Sequence, residues 1–374
     1  MRVAIDATSV PAKPAGAGVY AIELVRAMAE RPARDGYAVF TRGPWFDALG
    51  AKPNWRIERV QAPTRARRLL WEQAALPGRV GALGIDVLHG THHGVPVRPM
   101  RARRVVTVHD LTFLRIPQRY PPARRLYMQT ITQLGARVAD AIIAPSRVVR
   151  EDIERLLPAG RGKVHVVHEA PAARYRPMAR DEALGIARGY GIEPPYVLSV
   201  GSLEPGKNRR RVLEALAALR AEGVTPQFAI VGQPAWKYEE DAETVRVLGL
   251  EQQVRFLGYV PDDDLPALYA GADVFAYPSL YEGFGLCVLE AMACGTPVLT
   301  SAVSATAEVA GDAALLVDPA SVDAIRDGLR GLLGDAGARR ELSERGLARA
   351  AEFTWRRAAD ETYEVYAQTF EEPR

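Results

Sequence analysis

Tyr277-Pro-Ser-Leu-Tyr-Glu282-Gly-Phe-Gly285-Leu-Cys-Val-Leu-Glu290-Ala-Met-Ala-Cys-Gly-Thr-Pro-Val298 is the stretch that decides how the chain is read. Tyr277 closes a short apolar run, Gly283 and Gly285 form a turn, and residues 286–293 carry helical spacing. Gly295 and Pro297 stop that helix, and a second apolar run starts at Val298. Strand, glycine turn, helix and strand form the repeating unit of a parallel sheet, whose buried strands read as continuous apolar runs.

Outward from this unit the same grammar recurs. Apolar runs at residues 196–200, 228–231, 254–257, 274–277, 298–300 and 315–317 fill the second half, and runs at 3–7, 38–41, 87–89, 105–109, 141–144 and 164–167 fill the first. Segments such as 20–29 and 147–157 between them have helical spacing. Between residues 169 and 195 the pattern lapses into Pro171, Pro177, Gly185, Gly189, Gly191, Pro194 and Pro195, which predicts a linker. A chain of 374 residues exceeds what one core usually organises. The expected fold class is therefore α/β, with two doubly wound Rossmann-like domains, residues 1–178 and 179–355, facing one another across a cleft. No short repeat or low-complexity tract interrupts them.

The composition excludes several classes. The N-terminus reads as a buried strand rather than a signal peptide, and the longest uncharged run, 291–307, is short and broken by Gly295 and Pro297, so no membrane span is expected. Cys287 and Cys294 lie seven positions apart in a predicted helix, about 10 Å, too far for a disulfide, which fits a reducing cytoplasm. The net charge of +3 conceals an asymmetry: residues 1–178 hold 29 Lys+Arg against 14 Asp+Glu (+15), and the remainder 19 against 31 (−12). Clusters such as Arg65, Arg67 and Arg68, or Arg119, Arg124 and Arg125, favour an anionic partner.

Chemistry concentrates at a few positions. Glu282 stands on the glycine turn and Glu290 about two helical turns later, so both carboxylates can face one cleft. Taken singly, Glu282 could cap a helix and Glu290 could be a solvated residue, but the small apolar residues after Glu290 would make an unpartnered carboxylate costly. Gly-Ser202-Leu-Glu-Pro-Gly-Lys207-Asn lies between a strand and a helix, and a lysine at a helix N-terminus suits a diphosphate.

These residues resemble the family 4 retaining glycosyltransferases of the GT-B fold, whose signature is two glutamates separated by seven residues around Gly-Phe-Gly. The resemblance implies that Glu290 binds the ribose hydroxyls of a nucleotide and that Glu282 lies by the transferred sugar and leaving group. The backbone amides of Gly283, Phe284 and Gly285 would contact sugar hydroxyls. It also carries over Lys207, while the arginine common after the first glycine of that loop is Ser202 here; Arg209 is the candidate to compensate. Gly16 and Gly18 match the N-terminal glycine loop near the donor phosphate or acceptor, and His109 matches a histidine that contacts the donor sugar. Tyr259 and Val260 would border the nucleobase through backbone groups, with Asp262 as a helix N-cap. The pattern Gly-x-Leu-Glu-Pro-x-Lys-Asn is similar to a sub-branch of mannosyl and related hexosyl transferases. Residues 356–374 would form a helix returning to the first domain.

The implied function is retaining transfer of a hexosyl group, mannose as the leading choice, from a nucleotide-diphosphate sugar to a glycan or lipid-linked acceptor. The implied setting is cytoplasmic, peripheral at an anionic membrane, without nucleic acid. No cofactor or metal is expected, although His89, His92 and His93 lie close enough in sequence to raise a cation site as an alternative. A sugar-nucleotide epimerase of the same architecture and a non-catalytic sugar-nucleotide-binding scaffold are the competing readings.

Overall fold

The computed structural model describes residues 1–32, 34–234 and 239–372. It divides into two units, Met1–Glu169 with Thr354–Arg374, and Ala170–Phe353. Both are α/β, each built on one parallel sheet, as the alternating apolar runs predict.

In the first unit the strands are β1 (Arg2–Asp6), β2 (Gly36–Thr41), β3 (Trp55–Arg59), β4 (Val87–Gly90), β5 (Arg103–Thr107), β6 (Ala141–Ala144) and β7 (Val164–Val166), ordered β3-β2-β1-β4-β5-β6-β7. Central β1 buries Val3, Ala4 and Ile5 completely, because helices cover both faces of the sheet. The Ala17–Ala29 helix supplies Tyr20, Leu24 and Val25 to this core. So does the final helix, Trp355–Glu371, through Ala358, Ala359, Val365 and Tyr366. Strand order reverses between β1 and β4, which places residues after those strands in the crevice where open α/β sheets bind ligands.

The second unit has β8 (Tyr196–Val200), β9 (Gln227–Val231), β10 (Val254–Gly258), β11 (Val274–Tyr277), β12 (Val298–Ser301) and β13 (Leu315–Val317), ordered β10-β9-β8-β11-β12-β13. Here the reversal falls between β8 and β11. The two glycine-bearing segments singled out in the sequence leave the carboxyl ends of these two strands, so the topology brings them together.

Three expectations change in detail. The units meet at residues 169 and 170, nine residues before the expected boundary, because Ala172 and Tyr175 pack into the second core. The expected linker also contains a helix, Arg180–Gly189, which buries Ala183, Leu184 and Ala187; its short apolar stripe is hidden by flanking glycines. Asp262 does not cap a helix: the helix Leu265–Gly271 has Asp264 at its N-cap without a side-chain capping bond, and Asp262 instead lies 3.3 Å from Arg174. Cys287 and Cys294 are free thiols, and burial pushes both up to about 12. Among the described residues no helix is long and apolar enough to cross a membrane.

Candidate functional site

In the second unit, β8 ends at Val200 and the chain turns through Gly201, whose φ of 137° is open to glycine but strained for other residues. A 3-10 turn, Pro205–Lys207, leads to Asn208 in the left-handed region, and the helix Arg209–Ala221 follows. Asn208 is buried, and its side-chain amide donates 2.8 Å hydrogen bonds to the carbonyls of Pro278 and Pro319. One side chain thus ties the loop after β8 to the segment after β11. A lone asparagine beside a lysine gave no sequence signal for this.

The segment after β11 carries Glu282. Its Oε1 accepts hydrogen bonds from Lys207 Nζ at 2.7 Å, from the Tyr277 hydroxyl at 3.0 Å and from Ser279 Oγ. The Lys207 ammonium also lies 5.3 Å from the centre of the Tyr277 ring and 4.0 Å from Glu204. Glu282 and Lys207, 75 residues apart, therefore form one charged centre at the switch point, and Tyr277 and Ser279 complete it. Gly285, with φ 105°, stands at the N-cap of the Leu286–Ala293 helix, and a Cβ there would press on Thr306. Phe284 is buried with its ring edge-on to Phe353, so its side chain anchors the turn while Gly283 and Gly285 flank it.

Glu290 lies on that helix, buried, and accepts a hydrogen bond from the Tyr269 hydroxyl at 3.0 Å. Burial raises its carboxyl to about 7, opposed by Tyr269, Arg174 and Tyr175. The tyrosines come from the Leu265–Gly271 helix and from the chain just after the unit boundary, neither of which the sequence marked. Tyr259 is about half exposed after β10 and Val260 is buried.

Arg209 departs from its expected place. It is 1% exposed, and its guanidinium donates to the carbonyls of Ser202 at 2.9 Å and Gly201 at 2.6 Å. It grips the loop from within rather than presenting itself to a ligand. Arg210 pairs with Glu214, and Arg211 donates to Asn208.

In the first unit Gly16 caps the Ala17–Ala29 helix with φ 48°, and a Cβ on Gly18 would crowd Pro11. His109 follows β5; its Nε2 lies 2.9 Å from the Thr91 carbonyl, which makes that nitrogen the donor, and its Nδ1 is 3.4 Å from Glu169. Tyr20 packs edge-on against the His109 ring. His92 and His93 pack ring against ring, 4.8 Å between centroids, each about 6 Å from His109, whereas His89 is held apart from them. Both ring nitrogens of His89 are engaged, by the Tyr366 hydroxyl at 2.6 Å and Thr107 Oγ1 at 2.7 Å, and burial lowers its pKa to about 3. His93 lies near Thr132 and is lowered to about 3 by burial and by His109. Among the described residues no group of His, Cys, Asp and Glu is placed to hold a metal ion.

Comparison with known proteins gives the family of the chain. The model of Glycosyltransferase Family 4 covers residues 14–170, and that of Glycosyl transferases group 1 covers residues 188–349. The O-antigen chain mannosyltransferase B of Escherichia coli is 33% identical over 365 residues, 94% of this chain and 95% of that protein. The chain is a family 4 glycosyltransferase. Among solved structures, a sucrose-phosphate synthase from Thermosynechococcus elongatus aligns over 99% of both chains with a TM-score of 0.80 at 21% identity. WaaG, a glycosyltransferase involved in lipopolysaccharide biosynthesis, aligns over 97% of this chain and 99% of its own with a TM-score of 0.75 at 17% identity. The fold of this transferase is accordingly GT-B. Among the described residues Lys207, Tyr277 and Ser279 converge on Glu282 at the second unit's switch point, where the sequence motifs also lie.

Proposed function

We propose that this glycosyltransferase moves a hexosyl group, mannose in the first instance, from a nucleoside-diphosphate sugar to a glycan or lipid-linked acceptor with retention of anomeric configuration. The ion pair of Lys207 with Glu282 carries the reading, because a cation held at the switch point is what a departing diphosphate needs. Glu290 is the acceptor for the ribose hydroxyls, whose donors would satisfy the carboxylate oxygens that Tyr269 leaves available. Glu282 and the backbone of Gly283, Phe284 and Gly285 address the transferred sugar, with His109 as a further contact to it. Tyr259 and Val260 border the base. Gly16 and Gly18 open the first unit's phosphate-facing or acceptor-facing loop.

For an oxocarbenium-like transition state the main requirement is neutralisation of charge on the leaving phosphate. Lys207 supplies that charge without a metal, and no cofactor enters the scheme. Mannose is favoured by the likeness to the mannosyltransferase of Escherichia coli, and GDP-mannose is therefore the first donor to try.

An anionic membrane surface is the proposed setting, on the cytoplasmic side. Divided by structural unit, the first holds 30 Lys+Arg against 19 Asp+Glu and the second 18 against 26. Within the first unit residues 111–139 contain five arginines and no acidic residue. Leu70 and Leu126, on the helices Arg65–Ala74 and Pro122–Val138, are 68% and 65% exposed, and Arg65 stacks over Tyr127 to join those helices. Exposed leucines among arginines suit an anionic interface.

A thermal-shift panel of nucleoside diphosphates and nucleotide sugars tests the donor, since a ligand at 100 times its Kd adds about 2.7 kcal/mol of stability. GDP and GDP-mannose are expected to stabilise most; a flat panel overturns the reading. Product analysis then separates transfer from epimerisation, because epimerisation changes the nucleotide sugar without any acceptor. The anomeric configuration of the product, read by NMR, tests retention.

A further inference from the structure

Arg209 occupies a position where an apolar residue would pack at less cost. It opens the helix that buries Val212, Leu213 and Leu216, and its charge is withdrawn from water with Asp241 3.9 Å away and a weaker influence from Glu204. Arg209 Nε and Asp241 Oδ2 are both buried without a hydrogen-bond partner among the described residues. A buried, incompletely compensated guanidinium is expensive, and its retention calls for a use.

The use follows from the peptide planes of the loop. Gly201 and Ser202 both turn their carbonyls to the guanidinium. In a trans peptide the N–H points opposite to the preceding carbonyl, so the Ser202 N–H is directed away from Arg209. The amides on either side are spent: Gly201 N–H bonds to Val231 and Leu203 N–H to Gln233, at 3.0 and 2.9 Å. The Ser202 N–H has no partner among the described residues. Lys207 Cε and the Tyr277 ring both border Gly201, so this donor sits beside the charged centre. Gly232 lets the arrangement close, because a Cβ there would collide with the Gly201 carbonyl oxygen.

Resting on the reading of the second unit as a nucleoside-diphosphate site, we infer that Arg209 is the positioning residue of its diphosphate subsite. Its guanidinium turns the Ser202 N–H outward as a donor for a phosphate oxygen and places a second positive charge behind it. The subsite thereby acquires its second cation from beneath the loop, at the point where position 202 itself carries only a serine.

The test is calorimetric binding of GDP, UDP and ADP and of the matching monophosphates to the full-length protein. For the base that binds, the ratio of monophosphate Kd to diphosphate Kd reports the subsite alone. Arg209→Met is expected to lower this ratio at least about tenfold, the scale of a lost charge-assisted contact, with monophosphate binding within about threefold. Arg209→Lys, which keeps the charge but not the forked grip, is expected between Arg209→Met and wild type. Asp241→Asn removes the opposing charge and is expected to raise the ratio about twofold or more. A ratio unchanged in folded Arg209→Met, or equal losses for both nucleotides, overturns the inference. Should Arg209→Met not fold, Asp241→Asn decides, and an unchanged ratio there overturns it. A wild-type protein that binds nucleoside diphosphates without preferring them to monophosphates also overturns it, while one that binds none removes the underlying donor reading and the inference with it.

Discussion

The Lys207 ammonium and the Glu282 carboxylate form a 2.7 Å ion pair that joins the segments following β8 and β11. Both side chains are largely shielded, so the pair is a preorganised dipole rather than a surface contact. Losing a preorganised donor at a developing charge costs about 3 to 4 kcal/mol, so Lys207→Ala is expected to lower kcat by roughly 10² to 10³ at saturating donor. A fully active variant would overturn the phosphate assignment. Ser202→Arg, which adds a charge to the same loop, is expected to be milder and to tighten binding of the diphosphate product.

The two glutamates separate kinetically. Glu290→Gln is expected to weaken nucleotide binding, because ribose contacts are already made in the ground state, whereas Glu282→Gln chiefly lowers kcat. Steady-state kcat and KM for each variant check this; both constants within twofold of wild type in both variants would refute it.

Glu290 also predicts a pH dependence. Its folded carboxyl titrates near 7 against an ordinary 4.5, because burial disfavours the anion. Between those values the folded state holds a proton that the unfolded chain has released, so stability falls as pH rises through this window. The full effect of this buried group is on the order of 3 kcal/mol. Glu290→Gln removes it. Its melting temperature relative to wild type should therefore climb from pH 5 to pH 8, and a constant difference would contradict the assignment. Burial raises Glu72 to about 7 as well, but that group is common to both proteins and cancels.

Asn208 combines a left-handed backbone with two buried carbonyl partners. Asn208→Ala adds the cost of αL for a residue with a Cβ, about 1 to 2 kcal/mol, to that of two unsatisfied acceptors at about 1 to 3 kcal/mol each. Asn208→Gly removes the backbone part alone. Chemical denaturation should rank wild type above glycine and glycine above alanine; equal values for the two variants would show that the backbone contributes nothing.

On the surface, the double variant Leu70→Ser, Leu126→Ser should reduce sedimentation with anionic vesicles at low salt without changing the melting temperature. Each basic residue near such a surface contributes on the order of 1 kcal/mol, and salt screens it. Wild type sedimenting equally with neutral and anionic vesicles would remove the membrane from the proposal and leave a soluble acceptor.

Much of this was legible because it depends on local pattern. Central parallel strands are buried on both faces, so they print as apolar runs, and twelve of the thirteen strands coincide with such a run; the edge strand β3, with Arg56, Glu58 and Arg59 in five residues, does not. The glycine turns print as well, since the φ values at Gly16, Gly201 and Gly285 exclude most other residues. The spacing of Glu282 and Glu290 follows from one turn and one helix. The sequence by itself thus determined the fold class, the switch-point segments and the two glutamates.

Partners brought from distant segments were decided only by the tertiary structure. Nothing local to Arg209 distinguishes it from Arg210 and Arg211, yet helix phase sends one guanidinium under the loop and leaves Arg210 exposed. His89 looks like a ligand beside His92 and His93, but Tyr366, 277 positions away, takes one of its nitrogens. Tyr269 reaches Glu290, and Asn208 joins Pro278 to Pro319, because strand order places these residues side by side. Sequence spacing encodes dihedral preference and burial, whereas the pairing of polar groups depends on which segments the sheet order brings together, and that is a property of the whole fold.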